Sequence, residues 1–466
     1  MKTLAALLLL AFCSAQADLV DERIRADMER EHIPGMAVAV ITNGVVAKVQ
    51  GYGWADEKTK RPVTTNTLFQ IQSVTKTFTA TAIMLLAEEG KINIEKRITT
   101  YLKNLPPAWS NVTVRHLLTH TSGIKDFINE PTVNLNNDVT PDEIVKSLAD
   151  LPLNFEPGEQ YRYSNTGYQL LGMIIHQLTG LEWHEFVRQR VLVPAGMTST
   201  RVNAVDIKEP DLARGYRWEK DELRPGYPVA MSILSYPGGG LLSSVVDLIA
   251  WDKCLDKETV VKRPVLEKMW TQAVLNNGKK ADYGLGWSIE EIRSHRYVSH
   301  GGAHMTGFKS IFLRFPDERV TVIVLCNQRS ANQANTAFRV ADCYLPGLLL
   351  SSMQAATDPE PARSKRIRSV LAQLSKGESP ATITPQFRDA YAKEPNRATT
   401  LAARLKEQED FVYLGSDNVS GREVERYGVP VRTMCYYKMA TKSGARYYTI
   451  YLTADEKFAS YQSSDF

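Results

Sequence analysis

Residues 36–53, MAVAVITNGVVAKVQGYG, hold two strand-forming runs joined by Asn43-Gly44. Asn-Gly is the strongest short-range hairpin signal, because both central positions of the favoured turn need φ > 0. Near its start the chain is therefore committed to an antiparallel sheet. Strands return only at 282–327, as YGLGWSIEE, RYVSHGG, FKSIFLRFP and RVTVIVLCN, before a helix running to about Leu350. Residues 91–230 between them read as mostly helical, punctuated by Pro and Gly. Strands, then helices, then strands again predict a mixed α/β (α+β) fold whose sheet is made from two distant halves bracketing a helical insertion. A cleft belongs where the two layers meet.

The stretch QIQSVTKTFTATAIMLLAEEG (70–90) lies between the hairpin and the insertion. Phe78, Ile83, Met84, Leu86 and Ala87 keep a helical period, and Gly90 supplies a stop. Ser73 and Lys76, three apart, share one face of the first turn. A serine there meets free backbone N–H groups that favour negative charge on its oxygen. A lysine kept neutral by burial can take its proton. On the tetrapeptide alone, an N-cap serine beside a surface lysine is the better reading, because Ser and Thr are the ordinary capping residues.

Two further segments supply what such a nucleophile needs. In PGEQYRYSNTGYQLLGMII (157–175), Tyr163 and Asn165 lie in a loop just before an apolar-faced helix. Tyr163 can shuttle a proton to the leaving group if the Lys76 cation lowers its pKa, and Asn165 offers an amide to the substrate and to Lys76. By itself Tyr-Ser-Asn also reads as a turn with a stacking aromatic. In YVSHGGAHMTGFKSIFLRFP (297–316), His300, Gly301 and Gly302 stand on a strand whose glycines let a substrate backbone approach. The N–H groups of Ser73 and Ala303 together make an oxyanion hole.

SVTK, YSN and HGG, in this order with 90 residues from Ser73 to Tyr163 and 137 from there to His300, resemble the three boxes of the serine β-lactamase and penicillin-binding-protein family. The branch is that of class C β-lactamases, D-alanyl-D-alanine carboxypeptidases and related esterases. LLTHTSGI (117–124), GGGLLSSVVDLIAW (238–251) and YGLGW (283–287) agree with it. The resemblance covers about residues 20–350. It implies a five-stranded antiparallel sheet flanked by helices, an all-helical subdomain over roughly 91–230, and a catalytic serine between them. It also implies acyl-enzyme chemistry at Ser73 with no metal and no cofactor. The third box is KTG in true β-lactamases, where its lysine and threonine bind the substrate carboxylate. Here His300 and Gly301 replace them, so the expectation is an esterase, amidase or D-amino-acid peptidase with weak or no β-lactamase activity. The alternative is a non-catalytic penicillin-binding or wall-fragment sensor that keeps the fold.

Several patterns are set aside. Ser122-Gly123-Ile124-Lys125 also spells SxxK, but no helix follows it. Ser416-Asp417-Asn418 spells the SDN box of class A β-lactamases, yet comes after the third box. His116 and His120, four apart, lack a third ligand and read as structural. No GxSxG elbow is present.

Residues 1–17 read as a signal peptide: Lys2, an apolar run from Leu4 to Phe12, and Ala15-Gln16-Ala17 before the cleavage point. Nine apolar residues cannot span a bilayer. The expectation is a secreted or periplasmic protein acting on a small or peptide substrate, cell-wall derived in one reading. A net charge of +4 is too mild to argue for nucleic acid or a membrane surface. The hydrolase domain is expected over 18–354. AATDPEPARSKR (355–366) reads as a linker, and 367–466 as a small α+β domain resembling the cystatin-like units of some exported members. Residues 363–466 hold 17 Lys and Arg against 12 Asp and Glu, a pattern of a solvated basic surface. Cys254, Cys326, Cys343 and Cys435 form no CxxC, and their pairing is not legible.

Overall fold

A computed structural model describes residues 19–202, 211–394, 396–406, 408–420, 424–441 and 444–464. The expected signal peptide lies outside these. The chain divides into two compact units between Cys343 and Tyr344.

The first unit is built on one antiparallel sheet. Among the described residues it has seven strands: β1 (Gly35–Thr42), β2 (Val45–Asp56), β3 (Arg61–Pro62), β4 (Ser288–Ile292), β5 (His295–Ala303), β6 (Lys309–Phe315) and β7 (Val320–Cys326). Their order is β3-β2-β1-β7-β6-β5-β4. Asn43 and Gly44 take φ of 52° and 76°, the paired left-handed turn that Asn-Gly favours. The two distant halves join at β1 and β7, which pair from Met36 with Cys326 to Thr42 with Val320. The sheet carries seven strands rather than five because pairing continues past both edges. Arg61–Pro62 extends it beside Trp54 and Asp56, and Ser288–Ile292 pairs with the start of β5.

Helix α1 (19–30) and the buried helix α2 (Thr75–Glu88) precede the insertion. All of α2 from Thr75 to Leu86 is buried. A helix dry on every side must satisfy its hydroxyls internally. Accordingly Thr77 donates to the Val74 carbonyl (2.9 Å), Thr79 to Pro237 (2.7 Å) and Thr81 to Thr77 (2.8 Å). Gly90, at φ 71°, ends the helix as expected.

Residues 91–230 hold helix α3 (Asn165–Thr179) and several shorter ones, but they are not wholly helical. Tyr216–Glu219 pairs with Glu222–Pro225 in a hairpin. Its turn residues Lys220 and Asp221 have φ of 54° and 57°. Its strands, YRWE and ELRP, are only four residues long, too short for an alternating pattern to stand out.

Helix α4 (Val245–Lys257) packs on β1, β2 and β7. Its Trp251 lies 4.8 Å from Phe78 of α2, ring to ring, and both are fully buried. Arg314 of β6, 3% exposed, pins α4 to the sheet by pairing with Asp252 and Asp256. The last helix of this unit is α5 (Gln333–Asp342).

The second unit has helix α6 (Pro361–Leu374), which begins within 355–366, and an antiparallel sheet, β8 (Gln408–Asn418), β9 (Thr433–Thr441), β10 (Gly444–Leu452) and β11 (Phe458–Ser464) in that order. Ile367, Val370, Leu371 and Leu374 pack with Tyr437, Tyr448 and Ile450 as its core. Three of these strands match the expected runs. The fourth, FASYQSS, is too polar to announce itself. Cys254, Cys326 and Cys435 are buried free thiols. No helix among the described residues is long and apolar enough to cross a membrane.

Removing one carboxylate of a buried pair strands the other charge, which costs about 3–5 kcal/mol. Asp252→Ala leaves Arg314 its second partner, Asp256, and should lower the unfolding free energy of the first unit by about 3 kcal/mol or less. Asp256→Ala, at a half-buried position, should cost less; urea denaturation followed by tryptophan fluorescence reads both.

Candidate active site

Ser73 stands in a 3-10 turn, Gln72–Val74, that runs directly into α2. The residue before it, Gln72, is held at φ 49°, a left-handed conformation that costs a non-glycine residue roughly 1–2 kcal/mol. The turn is braced on several sides. Ile71 N–H donates to the Leu241 carbonyl (3.0 Å), and the Ser310 hydroxyl of β6 donates to the Ile71 carbonyl (2.6 Å). Gln72 Nε2 donates to Gln70 Oε1 (2.7 Å).

Lys76 is fully buried beneath Ser73. Its Nζ lies 3.1 Å from Ser73 Oγ, 2.8 Å from Asn165 Oδ1 and 2.7 Å from the Gly238 carbonyl oxygen. Three aromatic faces enclose it, those of Tyr163 (4.8 Å), Tyr168 (5.2 Å) and Tyr236 (5.8 Å). Burial pushes the amine down to about 7, with the Asp126 carboxylate working in the opposite direction. In the neutral amine two N–H groups suffice for Asn165 and Gly238, which leaves the lone pair for the hydroxyl of Ser73.

Tyr163 follows Arg162 in the loop that enters α3, and its hydroxyl shares a hydrogen bond with Ser73. Its pKa moves opposite to the sequence expectation. Burial and the neighbouring Tyr236 hold it well above the ordinary phenol value, and the Ser73 bond offsets this only in part. The Lys76 cation does not produce a phenolate here, because the same desolvation that raises the phenol also discharges the lysine.

Asn165 opens α3. Its Oδ1 accepts from Lys76 and from the Tyr236 hydroxyl (2.7 Å), and its Nδ2 donates to Asp126 Oδ2 (2.9 Å). These partners fix the amide orientation. Gly302 brings β5 against the nucleophile turn: a Cβ there would sit 2.3 Å from both the Ile71 carbonyl oxygen and Ser310 Oγ. Only glycine permits that approach. Ala303 follows it at the exposed end of β5.

His300 is buried on β5, one imidazole nitrogen 2.8 Å from the Tyr283 hydroxyl and the other 2.7 Å from the Gly301 carbonyl oxygen. A carbonyl only accepts, so Nδ1 carries the proton and Nε2 accepts from Tyr283. Burial and the nearby Lys76 push its pKa down to about 3.

Ser73, Tyr163, Asn165, His300, Gly301, Gly302 and Ala303 all line one cleft of about 440 Å³, with Lys76 beneath. No Lys or Arg is among its described lining residues. Sequence reasoning missed Asp126, Tyr236 and Tyr283, each a partner of a site residue, together with the Gly238 carbonyl; only the matching of GGGLLSS and YGLGW pointed near two of them. Of the patterns set aside, Ser122–Lys125 is a loop with Gly123 at φ 73°, and Ser416–Asn418 lies in β8 of the second unit. His116 closes a capping box with Thr113. His120 is buried against Tyr163.

A serine bonded to a buried lysine, with a sheet strand pressed against the serine turn, is the arrangement of a β-lactamase-type serine hydrolase. The chain belongs to the beta-lactamase family, whose model matches residues 20–342. It is similar to penicillin-binding protein 4* of Bacillus subtilis (strain 168), 33% identical over 321 residues covering 63% of this chain and 70% of that protein. Other curated relatives are spanned over 63% of their own length, under two thirds. Among solved structures, the octameric penicillin-binding protein homologue from Pyrococcus abyssi shares the fold with a TM-score of 0.61 and 24% identity, over 96% of this chain and 95% of that one. The D-amino acid amidase from Ochrobactrum anthropi SV3 complexed with D-phenylalanine matches with a TM-score of 0.61 and 25% identity, over 71% of this chain and 99% of that one.

Displacing β5 by an ångström should misalign the reacting atoms and cost about 10²-fold in rate. Gly302→Val should show that loss in kcat/KM. Gly301→Ala, whose added Cβ meets nothing nearer than Gln333 Nε2 at 3.5 Å, should stay close to the wild-type value.

Proposed function

We propose that this protein is an exported serine hydrolase that forms an acyl-enzyme at Ser73 and hydrolyses an ester, amide or D-amino-acid peptide bond. The observation that carries this reading is the 3.1 Å contact between Ser73 Oγ and an amine pushed down to about 7. At neutral pH a large share of that amine is unprotonated and can act as a base.

In the proposed cycle Ser73 Oγ bonds to the substrate carbonyl carbon as its proton passes to Lys76 Nζ. The carbonyl electron pair moves onto oxygen, where the N–H groups of Ser73 and Ala303 receive it. The tetrahedral species collapses by breaking the bond to the leaving group, which takes a proton from the Tyr163 hydroxyl; Lys76 returns a proton to Tyr163. A phenol held above its usual pKa suits this relay, because it stays protonated until the leaving group draws on it. Water then attacks the acyl carbon, gives its proton to the same pair, and releases the acid with Ser73 restored.

The substrate class follows from the third box. His300 is neutral and committed to Tyr283 and Gly301, and the cleft lining offers a carboxylate no Lys or Arg. A β-lactam or a C-terminal carboxylate loses its usual partner. Neutral esters and amides lose nothing. The D-amino acid amidase named above supports acyl transfer from amides, while the name of the penicillin-binding protein points to β-lactam binding. Export rests on the leader-like residues 1–17 and on the resemblance to penicillin-binding proteins.

Turnover of p-nitrophenyl acetate and of D-amino-acid amides should exceed that of benzylpenicillin in kcat/KM by about 10²-fold or more, the worth of a lost charge-assisted contact. Ser73→Ala should abolish all of it. An unchanged rate in that variant would exclude Ser73 as nucleophile, and a burst without steady turnover would mark a binding protein instead.

A further inference from the structure

His120 has no part in the cycle above, yet it is completely buried and touches the site from below. Its ring lies 4.1 Å from that of Tyr163 at 33°, and 4.7 Å from that of Tyr283, the partner of His300. Its backbone is held at φ 57°, left-handed. Two hydrogen bonds matter most. Arg162 N–H donates to the His120 carbonyl oxygen (2.9 Å), and Ser164 N–H donates to His120 Nδ1 (3.1 Å).

Residues 162 and 164 flank Tyr163. One histidine thus grips the backbone on both sides of that tyrosine and packs, tilted, against its ring. Because Nδ1 accepts, the ring proton sits on Nε2. The ring must also stay neutral for Nδ1 to accept at all. Burial, with Lys76 and His300 nearby, depresses its pKa well below the ordinary histidine value.

We propose that His120 is a positioning residue, a clamp that fixes the Tyr163 hydroxyl against Ser73 by holding Arg162 and Ser164 through its carbonyl and Nδ1. This rests on the reading of Tyr163 as the proton relay. The clamp acts only through Tyr163, and that distinguishes it from a histidine that merely fills the core.

The test is a double-mutant cycle on kcat/KM for a D-amino-acid amide, whose leaving amine must take the proton of Tyr163 during acylation of Ser73, in the full chain. His120→Asn keeps a carbonyl acceptor and tolerates the left-handed backbone, but loses the ring contact. His120→Phe keeps the ring contact and loses the acceptor. His120→Phe should slow acylation by about 10²-fold, the cost of misplacing a reacting group by an ångström, whereas His120→Asn, which keeps both acceptors, should recover most of that rate. Neither should slow it further when Tyr163 is already Phe. If Tyr163→Phe alone leaves the rate unchanged, the relay reading fails. If that variant is slow and the His120→Phe effect multiplies with it, the clamp fails while the relay stands. A wild-type measurement removes dependence on variants that fold. Imidazole ¹⁵N spectra should show His120 as the neutral Nε2–H tautomer at pH 6, and an Nδ1–H or charged ring there would overturn the proposal.

Discussion

The site depends on one desolvated amine. Lys76 sits where water cannot reach it, and its three neighbours are a hydroxyl, an amide oxygen and a backbone carbonyl, none of them an anion. The nearest carboxylate, Asp126, is spaced from it by Asn165, which bonds both. Direct contact with Asp126 would restore the charge and remove the base. The amide transmits orientation without a full counter-charge. Much of the surrounding architecture serves this arrangement: the dry, threonine-lined α2, the glycines at 238–240 that let the carbonyl of Gly238 reach Nζ, and the tyrosines that exclude water.

The same desolvation sets the character of the neighbours. It holds Tyr163 and Tyr236 as phenols and His300 and His120 as neutral imidazoles. The resulting network keeps its hydrogen-bond directions fixed, because each member has one protonation state and one tautomer near neutral pH. Lys76 is the member poised to change charge in that range. A cleft with this balance is suited to neutral acyl groups, which is why the exchange of a lysine box for His300-Gly301 bears on substrate choice while the nucleophile pair stays intact.

Much of this was legible in the sequence, for identifiable reasons. Asn43-Gly44 announces a turn that only a few residues can make, and β1 and β2 follow from it. Ser73, Lys76, Tyr163, Asn165 and His300 lie in short ordered motifs, and the fold brings them to one cleft. Tyr236, Tyr283 and Asp126 escaped because their roles arise from contacts 39 to 71 residues away for Asn165 and 17 for His300. No local period encodes such contacts. The direction of the Tyr163 shift was misjudged because charge proximity is visible in a motif, whereas burial is a property of the whole packing. The hairpin at 216–225 has strands only four residues long, and the strand at 458–464 is mostly polar, so neither carries a legible pattern. The spacing of His116 and His120 suggests a shared helix face; the position of His120 under Tyr163 is set instead by the left-handed turn after the helix at 114–118, which ends that face.

The central claim is that Ser73 is activated by an amine that is uncharged above about pH 7. The most direct measurement is the rate of fluorophosphonate labelling across pH 5.5 to 8.5, with the adduct located by peptide mass spectrometry. The account predicts a single adduct on the peptide carrying Ser73, forming faster as pH rises through a midpoint near 7, as the loss of one proton from Lys76 requires. An adduct on another residue, or a Ser73 labelling rate that stays flat across that range, would contradict it.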